Sequence, residues 1–387
     1  MRFAAAVLVS WLALTPTTDV AAASATQQTA PRGAALLAAR LPRVVYRGGL
    51  FLRHPRVVTI TFAGDEAQRV ARLERFGDTI PRSAWWRRAI AGYCATADDC
   101  MGNGRPGASV RLTEELPGRI HGVDISALLR RKASAGQLGK LDPETVLMVY
   151  LPAGVILHDA YNEHFCNGGP RAFHRALRYD NKLNGYSVLP RCGEESVLTA
   201  TASHELIELA TNPDTAHRGF ALDQRPASHA FAAAGVEPMD PCGLLTRDTH
   251  RTVAAGFTVQ RAWSNRAAEL GKDPCGTTSA KTPHVALVPR KPALLFAGIG
   301  DRATLTLDAT SDRPGTKWKV AVVYLSRVPP DQRHFAMELD RATVVAGQVV
   351  TLTIELREVP PGNTATIGLV STLGEQVRLW PLTLNVR

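Results

Sequence analysis

The stretch Thr199-Ala-Thr-Ala-Ser-His204-Glu205-Leu-Ile-Glu208-Leu-Ala-Thr-Asn-Pro213 holds the residues best suited to chemistry. On a helix, His204 and Glu208 stand one turn apart on the same face. A neutral imidazole and a carboxylate so placed fill two positions of a zinc tetrahedron. Glu205 beside them is placed to act as a base on a metal-activated water. The pattern H-E-x-x-E differs at one position from the H-E-x-x-H of zinc peptidases. A second Glu in place of His adds negative charge and admits harder divalent metals beside Zn2+. The plain alternative is a helix with exposed Glu205 and Glu208 and a satisfied His204.

A catalytic zinc site needs at least three protein ligands and an open position. The acidic candidates downstream are Asp240 and, as its substitute, Glu237, both in Glu237-Pro-Met-Asp240-Pro-Cys242. Two prolines and a disulfide at Cys242 would hold that segment rigid, although Asp-Pro is also ordinary turn chemistry. His158, His164 and His174 precede the helix as spare ligands or substrate-binding groups, each also readable as a surface or loop residue. Ser203 lacks a G-x-S-x-G elbow, so a serine nucleophile is not expected.

These residues need a frame. Arg56-Val-Val-Thr-Ile-Thr-Phe62, Thr145-Val-Leu-Met-Val-Tyr-Leu151 and Asn184-Gly-Tyr-Ser-Val-Leu-Pro190 read as buried strands. Helical spacing follows the first of them at Val70, Leu73 and Phe76, recurs past Pro81, and returns after an N-cap at Asp124. The site helix should run from about Glu195 to Thr211, with acids at its positive end and Pro213 as its stop. Strands alternating with helices predict a layered α/β domain over residues 44–276. After a polar linker at 277–285 the pattern changes. Short strand-like runs fill residues 286–387 without a helix, which predicts an all-β, Ig-like sandwich.

The chain has 387 residues, 45% hydrophobic and 21% charged, with a net charge of +10. These values suit a globular protein of more than one domain. Arg32, Arg40, Arg43, Arg47, Arg53 and Arg56 crowd one acid-free stretch. No aromatic-interleaved basic motif accompanies them, so they read as a solvated surface rather than a nucleic-acid site. Residues 1–25 read as a signal peptide: Arg2, an apolar run from Ala4 to Leu14, and the small residues Ala21 to Ala25. Residues 26–43 read as a low-order Ala/Arg leader. No lipobox cysteine and no transmembrane stretch follow, so a secreted protein is expected.

The six cysteines are Cys94, Cys100, Cys166, Cys192, Cys242 and Cys275. An even count in an exported chain predicts disulfides, and six allow 15 pairings. Nearest-neighbour pairing is the preferred one. A Cys-rich zinc site is the rival, without a C-x-x-C to support it.

Several segments, taken in order, resemble the Exordium-type, phosphate-induced secreted proteins of plants and their bacterial relatives. Val45-Tyr-Arg-Gly-Gly-Leu-Phe-Leu52 is similar to a Y-x-G-G-x-x-L opening. The helix stretch is similar to S-H-E-x-x-E-x-x-T-D/N-P, and Glu237 to Cys242 to E-I-x-D-x-C. The latter departs from the pattern in Pro238 and Pro241. Pro190-Arg-Cys192 also fits, Gly168-Gly-Pro-Arg-Ala-Phe-His174 is similar to a G-Y-H element, which makes His174 the preferred auxiliary histidine, and Val259 to Asn265 with Asp273-Pro-Cys275 is similar to the closing part. The resemblance spans about residues 44–276. It implies an extracellular family known from growth-associated plant proteins.

The sequence thus predicts a zincin-like layered α/β domain followed by a β-sandwich. The expected function is a secreted zinc metallopeptidase, with His204, Glu208 and Asp240 as ligands and Glu205 as base. The second reading is a non-catalytic secreted protein that binds a cell-surface or cell-wall ligand through the C-terminal domain.

Overall fold

A computed structural model gives the structure of the chain. It describes residues 32–158, 165–166, 170–223, 230–231, 235–246, 251–276, 283–325 and 333–387. The expected signal peptide and His164 lie outside the described residues, as do residues 277–282 of the expected linker.

The frame of the site is a five-stranded sheet. Its strand order is Ala108–Leu112, Arg56–Phe62, Thr145–Tyr150, Lys182–Leu189, Phe173–Tyr179. The first four strands run parallel and the last is antiparallel. Strands of a sheet covered on both faces read as continuous apolar runs, which is how Arg56–Phe62 and Thr145–Tyr150 were legible. Alternate residues part to opposite faces. Val57, Val146 and Met148 join one apolar cluster with Leu73, Phe76, Leu206 and Ile207. Val58, Ile60, Leu147 and Val149 join another with Ile125, Leu128 and Leu129. Helices Ala67–Thr79 and Glu195–Thr211 therefore cover one face and Gly122–Ser134 the other. That last helix starts before the expected cap: Asp124 sits inside its first turn.

The edge strand Phe173–Tyr179 was not foreseen. It pairs with Lys182–Leu189 through a two-residue turn, Asp180-Asn181, both residues at positive φ (44° and 59°). This is the type I′ geometry that matches strand twist, and Asp and Asn tolerate it. His174 rides on this strand.

The C-terminal strands form two sheets. One has the order Val285–Pro289, Arg302–Ser311, Val349–Leu356, Phe335–Leu339. The other has the order Ala293–Phe296, Gln376–Val386, Thr364–Leu373, Lys317–Tyr324, Thr343–Val345. All pairings are antiparallel except that of Ala293–Phe296 with Gln376–Val386. The described protein is therefore mixed α/β with many strands.

One expectation needs correcting. Residues 26–43 are not all a low-order leader, because Arg32–Arg40 is a helix with Leu37 buried, and Leu41 just after it is buried as well. It lies against the strand Arg302–Ser311 so closely that a Cβ on Gly33 would stand 2.6 Å from the Ser311 carbonyl oxygen. Its Ala/Arg composition hid a leucine stripe that only tertiary packing uses. The expected linker also ends early, since Val285 is already in a strand. No described helix is long and apolar enough to cross a membrane.

Candidate metal centre

The helix Glu195–Thr211 has the predicted bounds. It is apolar nearly all round, with Leu198, Ala202, Leu206 and Leu209 in the core. Such a helix has to be enclosed by other elements. The sheet covers one side, and the strand Phe257–Gln260 covers another. There the Thr199 hydroxyl donates to Thr258 O (2.7 Å) and Gln260 N donates to the Ser203 hydroxyl (2.8 Å). Ser203 Oγ in turn donates to Ala200 O (2.7 Å), so this serine is a structural tie.

The remaining face carries His204, Glu205 and Glu208, and other elements bring groups to it. His204 Nε2 lies 3.0 Å from Glu208 Oε2 and 3.9 Å from Asp240 Oδ1. His174, from the edge strand, places Nδ1 2.9 Å from Glu205 Oε2 and 3.6 Å from Glu208 Oε2. Its Nε2 lies 3.5 Å from Glu237 Oε2. Two groups of possible metal ligands result, His204–Glu208–Asp240 and His174–Glu208–Glu237. Within each, the ligand atoms lie within 4.8 Å of one another. Glu237 and Asp240, read as alternatives in the sequence, are both brought in. His158 is elsewhere, with its ring 5.8 Å from that of His121.

Asp240 opens the short helix Asp240–Thr246. Pro241 follows it, at the start of a helix where a missing N–H costs nothing. The prolines therefore set the turn rather than spoil it, and Glu237 N donates to Asp240 Oδ2 (3.1 Å). The Cys242–Cys275 disulfide holds this helix from below. Cys94–Cys100 and Cys166–Cys192 are the other two bridges. This is the nearest-neighbour pairing, and it leaves no cysteine to bind zinc.

Two positioning residues, Gln260 and Asn212, fall inside segments of the family resemblance, but the sequence assigns them no role. Gln260 Oε1 lies 3.1 Å from His204 Nδ1, while its Nε2 donates to Met239 O (2.9 Å). Asn212, the helix C-cap, donates from Nδ2 to Glu237 Oε1 (2.6 Å) and accepts from Phe220 N (2.9 Å). An amide serves these roles only once distant segments meet, so its spacing in the chain says nothing.

Glu205, Glu208, Glu237 and Asp240 bring four carboxylates together around two imidazoles. Glu208 is 3% exposed, and its Oε1 has no hydrogen-bond partner among the described residues. Burial resists the imidazolium of His204, but Glu208 prevails and raises its pKa to about 10. Burial also opposes protonation of His174, yet hydrogen bonds to Glu205 and Glu237 hold it well above the usual range. Burial pushes the Glu208 carboxyl up to about 7 and that of Asp240 to about 6, with His204 opposing both. Glu237 is also raised by burial, but the His174 hydrogen bond leads the effects that bring it below its ordinary value. Protons and imidazolium charge thus balance a buried cluster of acids that no described Lys or Arg ion-pairs. A divalent cation does the same job better, because buried like charges need a counter-charge. The donor set of imidazole nitrogens and carboxylate oxygens suits Zn2+ and harder divalent ions.

His204 and Glu205 open on a cleft of about 280 Å³ lined also by Arg171, Thr201, Arg251 and Gln260. No described carboxylate ion-pairs with Arg171 or Arg251, so one wall of the cleft is cationic. A larger cleft of about 620 Å³, around Arg82, Arg88 and Arg261, contains none of the cluster residues.

No family model matches the chain, and no curated protein matches it. Among solved structures it is similar to a Bacteroides ovatus GH5 xyloglucanase in complex with a XXXG heptasaccharide. Identity there is 15%, over 27% of this chain and 19% of that one, at a TM-score of 0.18. It is also similar to titin M4, with 16% identity over 27% of this chain and 95% of that one, at a TM-score of 0.18. A third is the Pseudomonas aeruginosa CupB2 chaperone, with 15% identity over 26% and 55%, at a TM-score of 0.21. Likenesses at these scores carry no argument about fold or function.

Proposed function

We propose that the protein is a metal-dependent hydrolase, a peptidase that works outside the cytoplasm. One observation carries the proposal: one ligand atom each of His204, Glu208 and Asp240 lies within 4.8 Å of the others, and Glu208 is buried with its Oε1 lacking a partner among the described residues. Those three residues would hold the ion. A divalent cation there would supply a Lewis acid for the substrate carbonyl and lower the pKa of a water.

The chain's own groups do the rest. The Glu205 carboxylate lines the cleft and takes the proton of the attacking water, then returns it to the leaving amine. His174 fixes the orientation of Glu205 by holding its Oε2. Gln260 fixes the ring of His204. Arg171 and Arg251 favour a peptide that presents a carboxylate beside the scissile bond. The three disulfides suit an oxidising compartment. Residues 1–25 serve as the export signal, the family is Exordium-like, and the site-bearing domain is zincin-like. The C-terminal sheets form an Ig-like sandwich for a cell-surface or cell-wall ligand.

Glu205→Gln should keep the metal and lose roughly 10²–10⁴-fold in peptide hydrolysis, the usual contribution of a general base. Unchanged hydrolysis would remove Glu205 from that role. The second reading is a non-catalytic secreted binding protein with a structural ion. It is favoured by the burial of Glu205 against His174. Stoichiometric metal with no hydrolysis of any peptide library would support it.

A further inference from the structure

The proposed function uses one ion, but the cluster has more donors than one ion can take. The two ligand groups share Glu208 and nothing else, and they do not merge into one group of five. Around a single ion, ligands at about 2.0–2.2 Å lie within roughly 4.4 Å of one another even when opposite. Each group meets a limit near that size, whereas the five together do not meet the 4.8 Å limit.

The outer ligands are prepared in matching ways. His204 has Nδ1 on Gln260 Oε1 and turns Nε2 to Glu208 and Asp240. His174 has Nδ1 on Glu205 Oε2, with Glu208 Oε2 at 3.6 Å from the same nitrogen, and turns Nε2 to Glu237. Asp240 has Oδ2 tied to Glu237 N and turns Oδ1 inward to His204. Glu237 has Oε1 tied to Asn212 Nδ2 and turns Oε2 inward to His174. A neighbour that occupies one atom and orients the other is how proteins hold metal ligands. Two such pairs, both reaching Glu208, are more than a single centre needs. Glu208 faces both, with Oε2 toward the two rings and Oε1 buried without a partner.

We infer that the centre is built for two cations, one on His204 and Asp240 and one on His174 and Glu237, with Glu208 as the carboxylate they share. This rests on the metal-dependent reading. Two ions held there would supply one Lewis acid for the substrate carbonyl oxygen and one for the attacking water. Glu205 then has a second duty as the positioning residue for His174.

The test is metal content of the full chain, stripped with chelator, loaded with Mn2+ alone and freed of loose ion by gel filtration. Elemental analysis should find two Mn2+ per chain, with the exchange-coupled electron paramagnetic resonance spectrum of a bridged pair. Asp240→Asn and His174→Gln should each hold one ion and give the six-line spectrum of isolated Mn2+. One ion in the wild-type chain, or two ions with no coupling, would overturn the inference and leave the hydrolase reading standing. No bound ion would overturn both. Because the decisive result comes from the wild-type chain, a variant that fails to fold does not blunt the test.

Discussion

At the scale of residues, the site is a balance of buried charge. Without a cation, Glu208 and Asp240 have folded-state pKa values raised to about 7 and about 6, chiefly by burial. A carboxyl raised on folding favours the folded state less as pH climbs through its folded value, because the native state then gives up a proton it held preferentially. A metal reverses that slope, since it binds the deprotonated ligands and displaces their protons. The gap in melting temperature between Zn2+-loaded and chelator-treated protein should therefore widen from pH 5 to pH 8. A gap that narrows over that range would contradict the account. Asn212→Ala should act twice. It leaves Phe220 N without its acceptor, which costs about 1–3 kcal/mol. It also frees Glu237, which should weaken metal binding by roughly 10–100-fold. Denaturant unfolding and metal titration separate the two effects.

At the scale of elements, the short helix Asp240–Thr246 delivers Asp240, and the Cys242–Cys275 bridge closes it onto residues 265–276. Replacing both cysteines by Ala should cost about 2–4 kcal/mol in stability. It should also weaken metal binding more than loss of the remote Cys94–Cys100 bridge does. Equal effects would show that the bridge does not serve the site. This helix and the site helix differ in how far the sequence disclosed them. Glu195–Thr211 was legible to its ends because acids open it, Pro213 closes it and H-E-x-x-E marks its face. The buried parallel strands were legible because a sheet covered on both sides leaves an unbroken apolar run. Phe173–Tyr179 was not, because Phe-His-Arg-Ala-Leu-Arg-Tyr looks polar until its neighbours are known. His174 was singled out from the sequence, but its reach to Glu205 and Glu237 depends on that unforeseen strand. The roles of Gln260 and Asn212 lay beyond reach for the same reason, since their site partners His204 and Glu237 stand 56 and 25 residues away in the chain.

At the scale of the molecule, the site-bearing part and the C-terminal sheets share one apolar core. Phe231 packs edge-on against Trp380 at 5.3 Å. Asp273 pairs with Arg378 in the same seam, both nearly buried. Burial raises the Asp273 pKa, yet Arg378 leads the groups that bring it below its ordinary value. Burial lowers that of His284. Groups depressed on folding stabilise the protein above their unfolded pKa and lose that contribution as pH falls through the folded value. Acid should therefore open this seam. Arg378→Met would leave Asp273 buried without its partner and should cost about 3–5 kcal/mol at pH 7. A loss below about 1 kcal/mol, the value of a surface pair, would show that the two parts do not depend on this contact. The Arg-rich N-terminal stretch also belongs to the whole molecule. Arg53 makes a two-pronged bond to Asp99, and Arg56 donates to Lys140 O.

The central claim is that His204, Glu208 and Asp240 hold a divalent ion. Calorimetric titration of Zn2+ into the chelator-stripped full chain tests it most directly, with His204→Ala and Glu208→Ala beside the wild type. Tight, stoichiometric uptake by the wild type, lowered by one ion in His204→Ala and lost in Glu208→Ala while near-ultraviolet circular dichroism shows both folded, is the predicted result. No uptake by the wild type, or equal uptake by all three proteins, would contradict it.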